Sequence, residues 1–140
     1  MHAKSVAILG LLSSPTCDKV LACLRAGLDH PEEISKKLGV VRQTVDWHLL
    51  RLSALGIVER VAVSSLSGRP RVIYKLSPEG KEMTEALDSA LTTHLQKVQQ
   101  RFERQEHELD VMLANGEITE EVYNERMHRL SREREIVGDK

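Results

Sequence analysis

Apolar residues recur at helical spacing in the middle of the chain, across residues 38–58. Four of them lie four, three and three residues apart and form one stripe on a predicted helix of about four turns: Val45, Leu49, Leu52 and Leu55. Gly39 ends the preceding helix and Gly56 ends this one, because glycine tolerates the left-handed conformation that terminates helices. Polar residues off the stripe are concentrated in the first half of the helix. The pattern predicts a helix-turn-helix.

Three shorter helices are expected before the helix that follows Gly39. The first covers residues 5–12, and the second covers residues 15–26 with Ser14 or Thr16 as its cap. The third opens at Pro31, with glutamates in its first turn and lysines in its last, the arrangement that the helix dipole favours. We expect this third helix to pack across the helix that follows Gly39.

A β-rich pattern follows Gly56. Residues 57–63 and 72–76 are rich in β-branched side chains, and residues 64–71 between them are rich in turn-forming residues. We therefore expect a β-hairpin with Arg69 and Arg71 at its tip or just after it. Two arginines held near a proline suit the narrow minor groove of DNA, so the hairpin takes the place of a wing.

A long heptad pattern occupies the next part of the chain. Ser77 and Pro78 form a helix start, and the helical pattern then continues to about Leu113, a length of ~37 residues or about 55 Å. Gln105 fills one polar slot in a seam of apolar a and d positions: Leu91, Leu95, Val98, Phe102, Leu109 and Met112. The seam predicts that the helix of residues 77–113 forms a homodimer.

The segment LGVVRQTVDWHLLRLSALGIVERV resembles the recognition-helix region of ArsR-like and related archaeal winged helix-turn-helix transcription regulators. The matching positions are Gly39, Thr44, Val45, His48, Leu49, Leu52, Gly56 and Ile57. The resemblance implies a DNA-binding transcription regulator. The first core helix departs from the family pattern, because Ser14 stands in place of its acidic residue and Cys17 in place of its arginine.

The C-terminal segment LDVMLANGEITEEVYNERMHRL resembles the short helical hairpin called SHOCT. The positions that match its pattern are Leu109, Gly116, Ile118, Thr119, Glu120 and Glu121. We expect Asn115 and Gly116 to end the long helix and a last helix to run from Thr119 to about Glu135. The resemblance implies a role in packing or assembly.

The candidate DNA contacts lie on the helix after Gly39 and on the hairpin. They are Arg42, Gln43, Thr44, Asp46, Trp47, His48, Arg51, Arg69 and Arg71. Arginine can bond guanine, glutamine can bond adenine, and aspartate can accept from the cytosine amine. Asp46 can instead steady Arg42 one turn earlier. Trp47 can stack on a sugar or fill an interface, and His48 suits a structural contact or a phosphate.

Charge divides the chain into a basic and an acidic part. Residues 1–76 contain 11 Lys and Arg against 6 Asp and Glu, a net charge of +5, whereas residues 77–140 contain 9 against 15, a net charge of −6. A basic segment suits contact with phosphates and an acidic one does not. We therefore expect a DNA-binding domain over residues 1–76 and a helical dimerisation region over residues 77–140.

Other chemistry is poorly represented in the sequence. Cys17 and Cys23 are six residues apart, so on one helix they face directions about 120° apart and cannot pair. Core filling and oxidant sensing remain alternative roles for them. The histidines lack metal-site spacing, and neither a nucleophile–base pattern nor a phosphate loop is present. We expect no enzyme activity, catalytic residue, cofactor or metal, and no effector can be named.

The sequence thus predicts a mainly α fold with a small β-hairpin: a winged helix-turn-helix domain, a long dimerisation helix and a short C-terminal helix. The expected function is sequence-specific binding of double-stranded DNA by a homodimer that regulates transcription. Since the chain has no run of 18 apolar residues, we expect no membrane span. The two cysteines give no disulfide framework, so we expect a cytoplasmic location. The alternatives are a protein-interaction adaptor built on a winged helix and a redox- or ligand-sensing regulator.

Overall fold

The computed structural model describes residues 1–64 and 68–138. Within them the chain forms six helices and two strands: α1 (Ala3–Leu12), α2 (Pro15–Arg25), α3 (Pro31–Leu38), α4 (Arg42–Ala54), β1 (Val58–Ser64), β2 (Pro70–Leu76), α5 (Pro78–Ala114) and α6 (Glu120–Ile136). The predicted mainly α fold with one small hairpin is confirmed. Residues 65–67 of the predicted loop over residues 64–71 lie outside the described part of the chain.

Side-chain caps set several helix starts. His2 caps α1, because its Nδ1 accepts from the backbone N–H of Lys4 at 3.2 Å, and the helix therefore begins before the predicted residue 5. Ser14 caps α2 by accepting from the backbone N–H of Cys17 at 3.3 Å, which decides between the two predicted caps. Thr119 caps α6 as predicted.

The first compact unit, Met1–Ala86, has a mainly aliphatic core shared by α1, α2, α3, α4 and β1. Its most deeply buried side chains come from the apolar stripes that the sequence shows: Cys17, Val20, Leu21, Ile34, Val45, Leu49, Leu52 and Ile57. Burial of side chains of this size stabilises the fold by about 1.5–3 kcal/mol each. The stripe of α4 is therefore committed to the core, and its other faces remain for contacts outside.

β1 and β2 pair as an antiparallel hairpin from Val58 opposite Leu76 to Ser64 opposite Pro70. The backbone N–H of Tyr74 donates to the carbonyl oxygen of Asp29 at 2.9 Å, which ties β2 to the segment between α2 and α3. The hairpin is thereby fixed to the helical part of its unit.

The start of α5 is fastened to the junction between α4 and β1. The Ser77 hydroxyl donates to the carbonyl oxygen of Gly56 at 2.6 Å and accepts from the backbone N–H of Gly80 at 2.8 Å. A Cβ atom at Gly80 would lie 2.1 Å from the carbonyl oxygen of Ile57, so the approach requires glycine. This fastening explains why the first compact unit continues to Ala86, beyond the end of the hairpin.

The second compact unit, Leu87–Lys140, has its own small core where α6 packs on α5. Phe102 and Leu109 of α5 are buried together with Leu130 of α6. An ion pair of 2.7 Å between Arg134 and Glu106 and a hydrogen bond of 2.6 Å from the Tyr123 hydroxyl to Asp110 join the two helices.

The heptad seam of α5 is only partly available to another chain. Phe102 and Leu109, which the sequence pattern assigns to an intermolecular seam, instead pack against α6 within the chain. Leu91 and Leu95, nearer the start of the helix, are 53% and 51% exposed. The assignment of the whole seam to a dimer contact is therefore wrong for Phe102 and Leu109.

No single helix of the described residues is long and apolar enough to cross a membrane. The short helices α1 and α2 meet such a criterion only when taken together, and they are bent by 80° at the break between them.

Candidate nucleic-acid interface

The turn between α3 and α4 is held by local bonds. Gly39 has a φ of 67°, the left-handed conformation that the sequence pattern requires there, and its N–H donates to the Ser35 carbonyl at 3.0 Å. The Ser35 hydroxyl donates to the carbonyl oxygen of Val40 at 2.6 Å. The chain then enters α4 through Val41, whose side chain is 67% exposed. These bonds fix the position at which the first turn of α4 meets solvent.

The first two turns of α4 separate core residues from exposed ones. Val45 and Leu49 are fully buried, whereas Arg42, Gln43 and Asp46 are exposed and Thr44 is half-buried. The structure thus brings together, on the outer side of one helix start, the polar residues that the sequence analysis selected. Arginine and glutamine at such a place can make paired hydrogen bonds to the edges of bases.

Arg42 and Asp46 form an ion pair across one turn of α4. The Nε atom of Arg42 lies 3.3 Å from Oδ1 of Asp46, and both side chains are half-exposed. The bond uses Nε, so the two terminal nitrogens of the guanidinium remain for another partner. Asp46 therefore orients Arg42 while leaving it able to bind.

Trp47 and Arg51 form a second exposed group on α4. The guanidinium carbon of Arg51 lies 4.0 Å from the centre of the Trp47 ring, a cation–π contact, and the Trp47 side chain is 49% exposed. The ring edge meets His48, with centroids 4.8 Å apart.

His48 is placed differently from the other predicted contacts. It is only 6% exposed, and burial, together with the positive charge of Arg51, lowers its pKa below the ordinary value of 6.5. The imidazole is therefore neutral near pH 7 and is covered by the fold. A side chain so placed is a core residue, and we do not retain it among the DNA contacts.

The two arginines of the hairpin occupy different positions. Arg69 precedes β2, and Arg71 lies within β2 opposite Val63. Both are exposed. Arg71 is therefore held by the strand pairing rather than by the loop.

The cysteines lie in the core. Cys17 is fully buried, Cys23 is 7% exposed, and both are free thiols. Burial, with a smaller contribution from the charge of Asp18, raises the pKa of Cys17 from 9.0 to about 11. This environment opposes the thiolate that an oxidant would attack, even though Cys17 stands near a helix start.

Metal binding has no obvious location in the part of the chain that the structure describes. Across residues 1–64 and 68–138, no three His, Cys, Asp or Glu side chains are grouped so that they could hold a metal ion.

Two apolar residues of the interface region were missed by the sequence analysis. Val41 and Leu50 are 67% and 69% exposed, on or next to the outer side of α4. The sequence could have indicated that these two residues are exposed, because both fall outside the apolar stripe that packs into the core.

The arrangement is that of a winged helix-turn-helix: α3, a tight turn, an exposed helix α4 and a β-hairpin in one compact unit. Comparison with known families agrees. The HxlR-like helix-turn-helix family matches residues 18–103, more than half of the chain, and the protein belongs to this family. Membership of this family supports DNA binding and transcription regulation as the class of function of the protein. Regulators of this class are generally not enzymes. No curated protein matches the sequence.

Solved structures with the same fold include two regulators. The diamide-treated form of YodB from B. subtilis has a TM-score of 0.58 and 20% identity, over 69% of this chain and 94% of that one. The transcriptional regulator homologue from Pyrococcus horikoshii OT3 has a TM-score of 0.54 and 20% identity, over 69% and 98%. At this identity the likeness shows the fold alone.

The family is a helix-turn-helix family, as the resemblance in the sequence implied, but it is the HxlR-like one. The specific ArsR-like assignment and the SHOCT-like assignment of the C-terminal hairpin stay predictions.

Proposed function

We propose that this protein binds double-stranded DNA sequence-specifically as a homodimer and regulates transcription, with α4 in the major groove. The observation that carries the proposal is the exposed pair Arg42 and Gln43 in the first turn of α4, directly after the fixed turn at Gly39. In helix-turn-helix proteins the first residues of the second helix meet the base edges. Arg42 suits the paired acceptors of guanine, and Gln43 suits adenine.

The remaining contacts of the first unit supply position and affinity. Thr44 and Trp47 lie beside the two base-contacting residues, and Asp46 holds Arg42. Arg69 and Arg71 meet the backbone or the minor groove from the hairpin, and Arg51 lies at the edge of the contact surface. The net charge of +5 over residues 1–76 favours approach to phosphates. A cytoplasmic location is part of this proposal, because the family is one of transcription regulators.

Two copies are joined through residues 77–140 in this proposal. Leu91 and Leu95 lie four residues apart on α5 and expose an apolar strip that α6 leaves open. Strips of this spacing pair in coiled coils. A symmetric dimer would present two α4 helices to inverted half-sites one helical turn apart, ~34 Å, or a multiple of it.

The test is selection of bound sequences from random duplexes by the full chain at moderate salt, followed by footprinting of the selected duplex. The proposal expects an inverted repeat and protection of two major-groove segments. Failure to enrich any sequence would contradict the proposal. If the protein also gave no salt-sensitive shift of duplex DNA, the adaptor alternative would be favoured.

A further inference from the structure

An open groove lies between α1 and the C-terminal half of α4, entirely within the first compact unit. Its volume is about 510 Å³, within the usual range of small-molecule sites. Its walls are mostly apolar, with Ala7, Gly10 and Leu11 on one side and Ala54 and Leu55 on the other. The groove is distinct from the first turn of α4, which carries Arg42 and Gln43.

Two polar side chains line this groove, a charged one, Arg51, and a buried one, His48. Arg51 lines the groove and stacks on Trp47, but it forms no ion pair with any described carboxylate. His48, also in the lining, is more than nine-tenths buried, with only 6% of its surface exposed, and its Nδ1 has no hydrogen-bond partner within the described residues. The groove therefore carries one cation that no described carboxylate neutralises, beside a buried imidazole.

We propose that the groove between α1 and α4 binds a small carboxylic acid with an apolar body. The carboxylate pairs with the guanidinium of Arg51, and the apolar body lies along Ala7, Gly10 and Leu55. A single negative charge is expected, because Arg51 is the groove's one cation among the described lining residues.

Occupation of the groove has a consequence for DNA binding that rests on the proposed function. Trp47, His48 and Arg51 all belong to α4, the helix that we place in the major groove. A bound anion neutralises the positive charge of Arg51 on α4, and its apolar body lies between α4 and α1. We therefore expect the ligand to weaken DNA binding.

The site can be tested without DNA, because Trp47 is the single tryptophan of the chain and lines the groove. The full-length protein is titrated with octanoate and with phenylpropanoate, and Trp47 fluorescence is recorded. The amides of the two acids serve as uncharged counterparts. We expect a saturable change with the acids and a much weaker response to the amides, since the amides cannot form a charge-assisted bond to arginine.

Three variants locate the site. Gly10→Leu fills the groove, and a Cβ atom there meets no atom within 4 Å, so the side chain can be added without a clash in the unliganded fold. It should abolish the saturable change, as should Ala7→Leu. Ala3→Leu adds the same bulk to α1 at a residue that does not line the groove, and it should leave the change intact. Arg51→Gln should raise the dissociation constant of the acids about ten-fold or more. Arg25→Gln, on α2, is the control.

The outcomes separate this inference from the proposed function. Saturable binding that Gly10→Leu abolishes would support the site even if no DNA sequence were selected. Sequence-specific DNA binding without a saturable Trp47 change would overturn the site and leave the proposed function standing. Equal binding of acids and amides would also overturn it. A third result would also overturn the site: the Trp47 spectrum depends on protein concentration, and Gly10→Leu abolishes a dimer. A second copy of the chain would then occupy the groove.

Discussion

Nε of Arg42 lies 3.3 Å from Oδ1 of Asp46, one turn further along α4, and both side chains are half-exposed. A pair of this exposure contributes little to folding, about 0.3–0.5 kcal/mol. Its effect is on orientation, because it holds the guanidinium by one edge. A carboxylate on a surface that meets DNA repels phosphates, so its presence is best explained by this positioning.

The first prediction concerns Asp46. Asp46→Ala should weaken binding to the selected duplex while binding to random duplexes stays equal or strengthens, because a negative charge is removed and Arg42 loses its support. A double-mutant cycle of Arg42→Ala and Asp46→Ala on the selected duplex should show a coupling of about 1 kcal/mol. Additive effects would mean that Asp46 does not act through Arg42. Thermal unfolding should change little in either variant.

The second prediction concerns the hairpin. Arg69→Ala and Arg71→Ala should each weaken all duplexes by a similar factor, because bonds to phosphates carry no sequence information. The slope of the logarithm of affinity against that of salt concentration should become shallower by about one unit for each phosphate that the variant no longer neutralises. Arg60→Ala, on β1, is the matched control. Unchanged affinity and slope in Arg69→Ala would remove that residue from the interface.

The third prediction concerns the dimer. Replacing both Leu91 and Leu95 with glutamate should give a monomer in light scattering and keep the helical content, because both side chains are exposed in the single chain. Val111→Glu is the control, since Val111 is 43% exposed on the same helix but lies outside the seam. A double variant that stays dimeric would place the interface elsewhere, for example at α1.

The fourth prediction concerns Cys17. Because its pKa is raised from 9.0 to about 11, the buried thiol favours the protonated form, and its contribution to stability is complete below pH 9 and is lost as the pH rises to about 11. Diamide at pH 7 should leave DNA binding unchanged, and a thiol reagent should modify Cys17 only slowly. A rapid loss of binding that Cys17→Ala prevents would instead favour the redox-sensing alternative.

The sequence predicts the helices and strands better than it predicts which of them pack together. The stripe of Val45, Leu49 and Leu52 is strictly periodic, and the core uses it as expected. Helix ends at Gly39 and Gly116 follow from local conformational preference, and both residues have positive φ. The start of α5 could likewise be predicted, because Ser77 and Pro78 act locally.

Tertiary choices could not be predicted in the same way. A heptad seam shows that a partner helix is needed, but not that α6 of the same chain covers Phe102 and Leu109. His48 sits at the edge of the α4 stripe, where spacing alone does not decide burial. The groove beside α1 depends on the packing of two helices that are distant in sequence, and α1 is too uniformly apolar to indicate which side faces α4.

The central claim is that Arg42, at the start of α4, contacts bases. It is tested most directly by the dissociation constants of the wild type and Arg42→Ala on the selected duplex and on a random duplex, at one salt concentration. We predict that the variant loses about 1–3 kcal/mol, roughly five- to 150-fold, on the selected duplex and hardly changes on the random one. Equal weakening on both duplexes would contradict the claim, because Arg42 would then hold only phosphate.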